Sequence, residues 1–483
     1  MATAYDIVRY PSSAFPHTHP ASLGAQAALV GKRFTPLERA RVLEIGCGEG
    51  VNLLSMAIGA PKTEFVGVDL AEAPIEVAKA TTKACGVANA SFHVGDILKL
   101  DDRYGRFDYI IAHGVYAWVP ADVRAALMRL FGELLADNGL AMVSYNALPG
   151  ARLREALRDM LLYVSAGVDD PAEKLGRARA MLSAYVERWS KTDSLQHALG
   201  VEAGRILKRA PEGLFHDELG AVYAPQTLSD VVKAARGVGL DYLTDASPDL
   251  ESQPFFPNDT HAAERADAEG DWVRYEQLID FRQMRPFRNT VLCRGGDADR
   301  RMEPSRLRGL FASGPLEAIG PGKDPDTFEF RTGGAVEVSS GHAKLIEFLK
   351  RVAAASPGGV ALDEIADDAY LAEQIFRAYA ARIVHVRTAP QPLTISPGEK
   401  PIASPLARYQ STQGATVVTA LNLGSVKLED PGARAFLERL DGMRTRAELA
   451  REMSALAGEP PEEGPAKVDG ALVSLSRLGV MLG

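Results

Sequence analysis

The sequence predicts an α/β protein: a seven-stranded, doubly wound, Rossmann-like sheet with a helical insert, followed by two smaller α+β, winged-helix-like domains. Three observations carry this. Residues 41–45 (Arg-Val-Leu-Glu-Ile) are a short apolar run that reads as a buried strand, with glycines at 46, 48 and 50 behind it and an apolar helical stretch over 52–58. Residues 63–69 read as a second strand ending in Asp69, at the spacing of about 20 residues where a doubly wound sheet sets a carboxylate against ribose hydroxyls. Strand and helix signals then keep alternating as far as residue 144, the order that builds parallel strands with crossover helices.

In chain order, residues 1–40 form an arm with Tyr5, Tyr10, Phe15, His17 and His19 among prolines, then a helix over 23–34. The arm either folds over a ligand cleft or packs on the core, and the sequence leaves both open. In the glycine turn, backbone can lie against a ligand without Cβ interference. The dinucleotide fingerprint G-x-G-x-x-G would need a third glycine at 51, which is Val51, so the run is G-x-G-x-G instead. A helix follows over 74–84, and a third strand over 90–94 leads into Gly95, Asp96 and Ile97. The fourth strand, 107–112, opens into His113-Gly114-Val115-Tyr116-Ala117-Trp118, and ligands of open α/β sheets sit beyond such strand ends. A helix over 121–136 and a fifth strand over 139–144 lead to Tyr145 and Asn146.

Residues 151–238 change to helical patterns over 152–165, 172–189, 195–209 and 226–238, an insert placed to roof the cleft. Strands over 239–243 and 287–293 complete the sheet, separated by an acidic, proline-containing loop over 247–272. The resulting division is an arm (1–40), a nucleotide-binding sheet (41–150 and 239–297), the insert (151–238), a middle regulatory or winged-helix-like domain (300–388) and a C-terminal domain (406–483). The middle region reads as strands over 328–331 and 335–338 and helices over 342–355, 362–366 and 372–381. The last domain reads as helices over 436–442, 445–456 and 468–478, after a proline-rich linker.

Composition excludes several classes. A chain of 483 residues exceeds one ordinary core, and 46% hydrophobic with 24% charged residues is globular. A net charge of −9 argues against a general nucleic-acid binder, and so does the lack of a basic recognition helix in the winged-helix-like parts. Three scattered cysteines argue against a disulfide framework and against a zinc site, so no metal is expected. The N-terminus has no apolar leader and no window of about 20 residues is free of charges and breakers, which makes membrane insertion unexpected and the cytoplasm the expected compartment.

The glycine pattern with Glu44 before it is similar to that of class I methyltransferases that use S-adenosylmethionine (SAM). Further blocks resemble one bacterial family of them, whose members carry a methyltransferase regulatory domain. These are Tyr5 to Tyr10 with Thr18-His19-Pro20; Leu43 to Leu53; Asp108 to Tyr116 with Trp118-Val119-Pro120; and Ser144-Tyr145-Asn146 with Pro149-Gly150. His216-Asp217-Glu218-Leu219, and Asp280-Phe281-Arg282 with Phe287-Arg288-Asn289-Thr290, complete the set. Ala117 departs from the serine more usual there, which methyl transfer does not need. The family includes lysine methyltransferases of intracellular bacteria that modify an outer-membrane protein. The resemblance therefore implies SAM as cofactor and a protein lysine as acceptor. A small-molecule O- or N-methyltransferase and a SAM-binding regulator without turnover stay open, as does a homodimer.

The implied cofactor residues are Glu44, Gly46, Cys47, Gly48, Gly50, Asn52, Asp69, Leu70, Asp96, Ile97 and His113. Asp69 would hold the ribose, and Asp96 with Ile97 the adenine. For transfer the candidates are Tyr10, His113, Tyr116, Tyr145 and Asn146. The tyrosines with Trp118 would form an aromatic cavity whose desolvation lowers a lysine pKa and whose ring faces favour a sulfonium. His113 would act as general base, or simply bond backbone or pack on the cofactor; Asn146 would orient the acceptor. The Asn/Asp-Pro-Pro-Tyr/Phe motif of nucleic-acid N-methyltransferases is absent after the fourth strand, which counts against base methylation.

Overall fold

The protein is described from a computed structural model covering residues 4–246, 261–295, 298–300, 303–332 and 337–483. Its centre is a seven-stranded sheet: β1 (Arg41–Ile45), β2 (Glu64–Asp69), β3 (Ala90–Val94), β4 (Phe107–Ala112), β5 (Leu135–Asn146), β6 (Leu240–Asp245) and β7 (Phe287–Arg294). The spatial order is β3-β2-β1-β4-β5-β7-β6. Pairs among the first five strands are parallel, while β7 runs antiparallel between β5 and β6. Strand order reverses between β1 and β4, so ligand-facing loops gather beyond their carboxyl ends.

Of the crossover helices, Val51–Gly59 begins on Gly50 in the left-handed region and Ala121–Leu134 directly after Pro120. A single turn, α1 (Ala4–Ile7), precedes α2 (Pro20–Leu29), which is opened by Pro20 at its first position and by the His19 side chain accepting from Ala21 N. That start lies three residues ahead of the expected 23–34. Helices α3 (Val51–Gly59), α4 (Glu72–Ala84) and α5 (Ala121–Leu134) pack on the sheet; Ile75 and Ala78 of α4, for example, are buried.

The insert has α6 (Arg152–Val164), α7 (Pro171–Arg188), α8 (Ser194–Leu207), α9 (Pro211–Leu219) and α10 (Leu228–Arg236). Helix α9 is absent from the sequence reading: nine residues long, it is held by burial of Leu214 and Leu219 rather than by a long periodic stripe. The expected loop over 247–272 lies outside the described residues up to 260. Beyond that, α11 (Ala262–Ala268) is helical, and α12 (Trp272–Gln283) starts on Asp271, whose side chain accepts from Arg274 N.

The middle region consists of two three-stranded antiparallel sheets. One is β8 (Phe311–Ser313) between β12 (Val360–Ala361) and β13 (His385–Arg387); the other is β9 (Leu316–Pro321), β10 (Phe328–Thr332) and β11 (Glu337–Ser340). Helices α13 (Ala343–Ala355) and α14 (Ala369–Ala380) cover them. This region shares one continuous apolar core with α2 and the sheet, joining Ala21, Leu23 and Leu29 to Phe330, Phe348, Phe376 and Val386. The Thr388 amide donates to Ala21 O, and Gln26 bonds the Tyr379 hydroxyl. The C-terminal unit has its own core, formed by α15 (Pro405–Thr412), the hairpin β14 (Val417–Thr419) and β15 (Ser425–Lys427), α16 (Pro431–Arg439), α17 (Arg446–Ala457) and α18 (Gly464–Arg477). Among the described residues, no helix is long and apolar enough to cross a membrane.

Candidate active site

The cradle is made by the turn between β1 and α3. Gly46 and Cys47 donate their amides to Val68 O at 2.8 and 3.2 Å, which ties the turn to β2, and Gly50 N closes it on Cys47 O at 2.9 Å. Gly46 and Gly50 have φ of +78° and +71°, and a Cβ on either would lie 2.4 Å from Val115 or Phe92. Gly48 differs. Its φ is +53°, yet among the described residues no atom beyond its chain neighbours lies within 4 Å of a Cβ built there, so that position faces open space where a ligand would run. Its amide donates to Asp69 Oδ2 at 2.9 Å, and Asp69 Oδ1 accepts from Ala71 N at 2.9 Å.

Glu44 is the buried acid beneath the turn. Oε1 accepts from Asn52 Nδ2 at 2.8 Å, while Oε2 has no partner among the described residues. Burial pushes its carboxyl up to about 8, with Asn52 opposing and Asp69 reinforcing the shift. A buried acid with a spare oxygen suits the ammonium end of an amino-acid cofactor. Burial also raises Asp69, and raises the Cys47 thiol well above the usual range, so Cys47 is a packing group and not a thiolate. Asp96 accepts from Leu98 N at 3.0 Å, Ile97 is half-buried against the core, and Leu70 is 58% exposed at the end of β2. These fit the edge of a nucleoside site.

The N-terminal arm closes this cleft, which is the first of the two alternatives the sequence leaves open. Arg9 forks onto Glu49 inside the glycine turn, one limb at 2.8 Å, and Ser12 Oγ donates to the same carboxylate at 2.7 Å. The Phe15 amide donates to Asn52 Oδ1 at 2.9 Å. On the other side Tyr5 stacks on His216 at 4.3 Å, His216 Nε2 meets Val8 O at 2.7 Å, and the Tyr10 hydroxyl donates to Asp217 at 3.2 Å. The arm therefore straps the glycine turn to α9. Arg9, Ser12, Glu49 and His216 escape the sequence reading as site residues; the acid within the glycine turn and the basic-aromatic Tyr5 to Tyr10 block are the signals that could have paired them.

The expected aromatic cavity is only partly assembled. Tyr116 and Tyr145 are neighbours, with ring centres 6.3 Å apart and both rings buried. The Tyr145 hydroxyl bonds Thr290 Oγ1 at 2.9 Å, and burial raises it out of reach of proton transfer near neutral pH. Trp118 lies instead against Tyr223 at 5.0 Å, with the Arg154 guanidinium 5.2 Å over its face, so it packs into the insert. Tyr10 sits at the rim, 42% exposed. These placements follow from α9, which draws Tyr10 and the Trp118 neighbourhood toward Arg154, Asp217 and Glu218.

His113 follows β4 directly and is half-buried, with its Nδ1 shut off from solvent, 4.1 Å from Phe15, 5.1 Å from His17 and 6.2 Å from Phe287 between ring centres. Desolvation lowers it to about 3, and His17 to about 4, so both rings are neutral at physiological pH. A proton-accepting general base should titrate near the working pH, and neither does. Asn146, at the end of β5, is buried with its Oδ1 unpartnered among the described residues.

A sheet with an inverted seventh strand, a G-x-G-x-G cradle open at its middle glycine, and acids at the ends of β1, β2 and β3 defines a class I SAM-dependent methyltransferase. Comparison with known proteins narrows this. Residues 37–183 match the family model "Methyltransferase domain", 210–294 match "Predicted methyltransferase regulatory domain", and 399–460 match "PKMT, C-terminal winged helix domain". The winged-helix match thus falls on the C-terminal unit, and the regulatory-domain match includes β6 and β7 of the central sheet. PKMT2 from Rickettsia typhi superposes with a TM-score of 0.85 over 98% of this chain and 100% of its own, at 26% identity; its complex with AdoHcy gives 0.84. Uncharacterized protein RP028 of Rickettsia prowazekii is 37% identical over 45% of this chain and 88% of its own length. For Uncharacterized protein RP789 of the same organism the identity is 36%, and the match spans 60% of this chain but only 52% of that protein. The chain belongs to the SAM-dependent methyltransferases that carry a methyltransferase regulatory domain and a PKMT-type winged helix.

Proposed function

We propose that this protein transfers the methyl group of SAM to a lysine side chain of another protein. The observation that supports it most is the end-to-end likeness to PKMT2 of Rickettsia typhi, in which catalytic sheet, insert, middle region and winged helix all correspond. Relatives named for small acceptors, such as trans-aconitate 2-methyltransferase of Variovorax paradoxus, match 44% of this chain or less.

In this reading Glu44 holds the cofactor's ammonium, Asp69 the ribose, and Asp96 with Ile97 the adenine. Gly46, Cys47, Gly48 and Gly50 form the cradle, which Asn52 braces through Glu44, and Leu70 covers the nucleoside edge. SAM brings an already activated methyl, so the protein has to align an amine and exclude water; good orientation can supply about 7–11 kcal/mol. The arm from Arg9 to Phe15 excludes water, and Tyr116 and Tyr145 wall the passage. Tyr145 acts by position, through Thr290, rather than through a free hydroxyl. Tyr10 steadies the rim through Asp217, while His113 and Asn146 face the acceptor.

Purified protein incubated with tritiated SAM and native lysate should place label in protein bands that yield methyl-lysine on hydrolysis. Label confined to low-mass material would overturn the protein-acceptor reading. S-adenosylhomocysteine binding without any label transfer would favour a regulator without turnover.

A further inference from the structure

Buried polar atoms without a hydrogen-bond partner are uncommon, because each has given up water and gained nothing in exchange. Among the described residues several gather at the carboxyl edge of the sheet: Glu44 Oε2, His113 Nδ1 and Asn146 Oδ1 on the tips of β1, β4 and β5, and His17 Nε2 on the arm that covers them. The two imidazoles come from segments far apart in sequence yet lie at 5.1 Å in an edge-to-face arrangement. Phe15 flanks both, and Phe287, paired in register with Asn146, closes the far side of His113. The carboxylate whose charge bears on His17 is Asp245, at the end of β6, which is engaged by Arg288.

We propose that His17 is a positioning residue for the acceptor: with His113 it offers a pair of neutral imidazole nitrogens that take hydrogen bonds from a primary amine and so fix where the amine's lone pair points. This rests on the amine-acceptor reading above. An uncharged amine has two N–H donors and one lone pair, so two fixed acceptors on one side direct the lone pair to the other. Protonated imidazoles would do the opposite, since an imidazolium has no lone pair and repels an ammonium. Burial between aromatic rings keeps both rings neutral well below physiological pH, which preserves their accepting nitrogens. The same low basicity makes a proton-removing role unsuitable, so the amine must arrive already deprotonated or lose its proton to water. Because His17 rides on the arm, this half of the amine site forms only when the arm is down on Glu49 and Asn52.

The test uses the full chain and two substitutions. His17→Phe keeps a ring between Phe15 and His113 but removes the acceptor, whereas His17→Gln restores an acceptor without the ring. With lysate protein as substrate, His17→Phe should lower kcat for methyl-lysine formation at least tenfold and leave S-adenosylhomocysteine affinity within twofold, and His17→Gln should recover part of the loss. In a second measurement, protein labelled with 15N-histidine and saturated with S-adenosylhomocysteine is titrated with n-butylamine, and the His17 and His113 ring nitrogens should both shift. Equal kcat in wild type and His17→Phe would overturn the proposal, as would a loss of S-adenosylhomocysteine binding matching the loss of rate, or no nitrogen shift with the amine. Wild-type protein that makes no methyl-lysine at all would instead sink the acceptor reading on which it rests.

Discussion

Two sets of buried polar groups stand on either side of β5, and they hold opposite inventories. Around β7, Arg288 meets Asp280 at 2.7 and 2.8 Å, Glu276 at 2.8 Å and Asp245 at 3.5 Å, and none of these side chains is more than 10% exposed. Burial works against the Arg288 charge, but Glu276 and Asp280 override it and hold the guanidinium charged. At the tips of β1, β4 and β5, Glu44 and Asn146 are buried and His113 half-buried, yet each keeps a buried atom with no partner among the described residues. The first set is a scaffold of saturated charges, and the second leaves unpartnered atoms at the cleft where we place the ligands. Burial alone does not separate the two; hydrogen-bond completeness does.

The sharpest way to break the comparison is at its saturated side. Arg288→Met leaves three carboxylates buried around an absent cation and should cost about 3–5 kcal/mol, read as a fall in chemical-denaturation midpoint. A loss under about 1 kcal/mol would mean that the cluster is not structural. Next comes the cradle. Gly48→Val should weaken S-adenosylhomocysteine binding at least about a hundredfold by calorimetry, while stability falls only by the roughly 1–3 kcal/mol that a positive φ imposes on a branched residue. Gly50→Val, which also collides with Phe92, should lose stability as well as binding.

Glu44→Gln tests the unsatisfied side. Losing a charge-assisted hydrogen bond should weaken cofactor binding about 10- to 100-fold. It should also change the pH profile of the unliganded protein. The folded carboxyl stays protonated up to about 8, whereas the unfolded one ionises near pH 4, so wild type loses stability as pH climbs between those values. Glu44→Gln should remove that slope, and thermal melts from pH 4 to 9 would show it. His17 and His113 act in the opposite sense. Their folded values near 4 and 3 lie below the unfolded one, so they draw stability down as pH falls beneath about 6.5. The smallest effect belongs to Arg9→Ala. Arg9 is 69% exposed, so stability should change by less than about 1 kcal/mol, while S-adenosylhomocysteine should dissociate faster in stopped flow.

Much of the sheet was legible because its signals are local. The runs over 41–45 and 107–112 match β1 and β4, since a strand buried on both faces is apolar at nearly every position. The cradle was readable as glycine spacing, and Asp69 as an acid at a set distance beyond it. Helix α9 was hidden because it is short, and with it went the anchor for Tyr5 and Tyr10. The strap from Arg9 to Glu49 and the meeting of His17 with His113 join residues that no periodicity connects. Trp118 shows the same limit: its sequence neighbours place it at the tip of β4, but the Arg154 guanidinium decides which way its face is covered.

The helix that roots the arm also bears on how the polypeptide can be divided. Helix α2 lies with its buried face against both the catalytic sheet and the middle sheets, and Gln26 reaches Tyr379 across that seam. A chain shortened after β7 would strip one side of α2 bare, loosening the hinge from which His17 and Arg9 hang. Helix α2 thus belongs to the front and the rear of the molecule at once, and its packing depends on both.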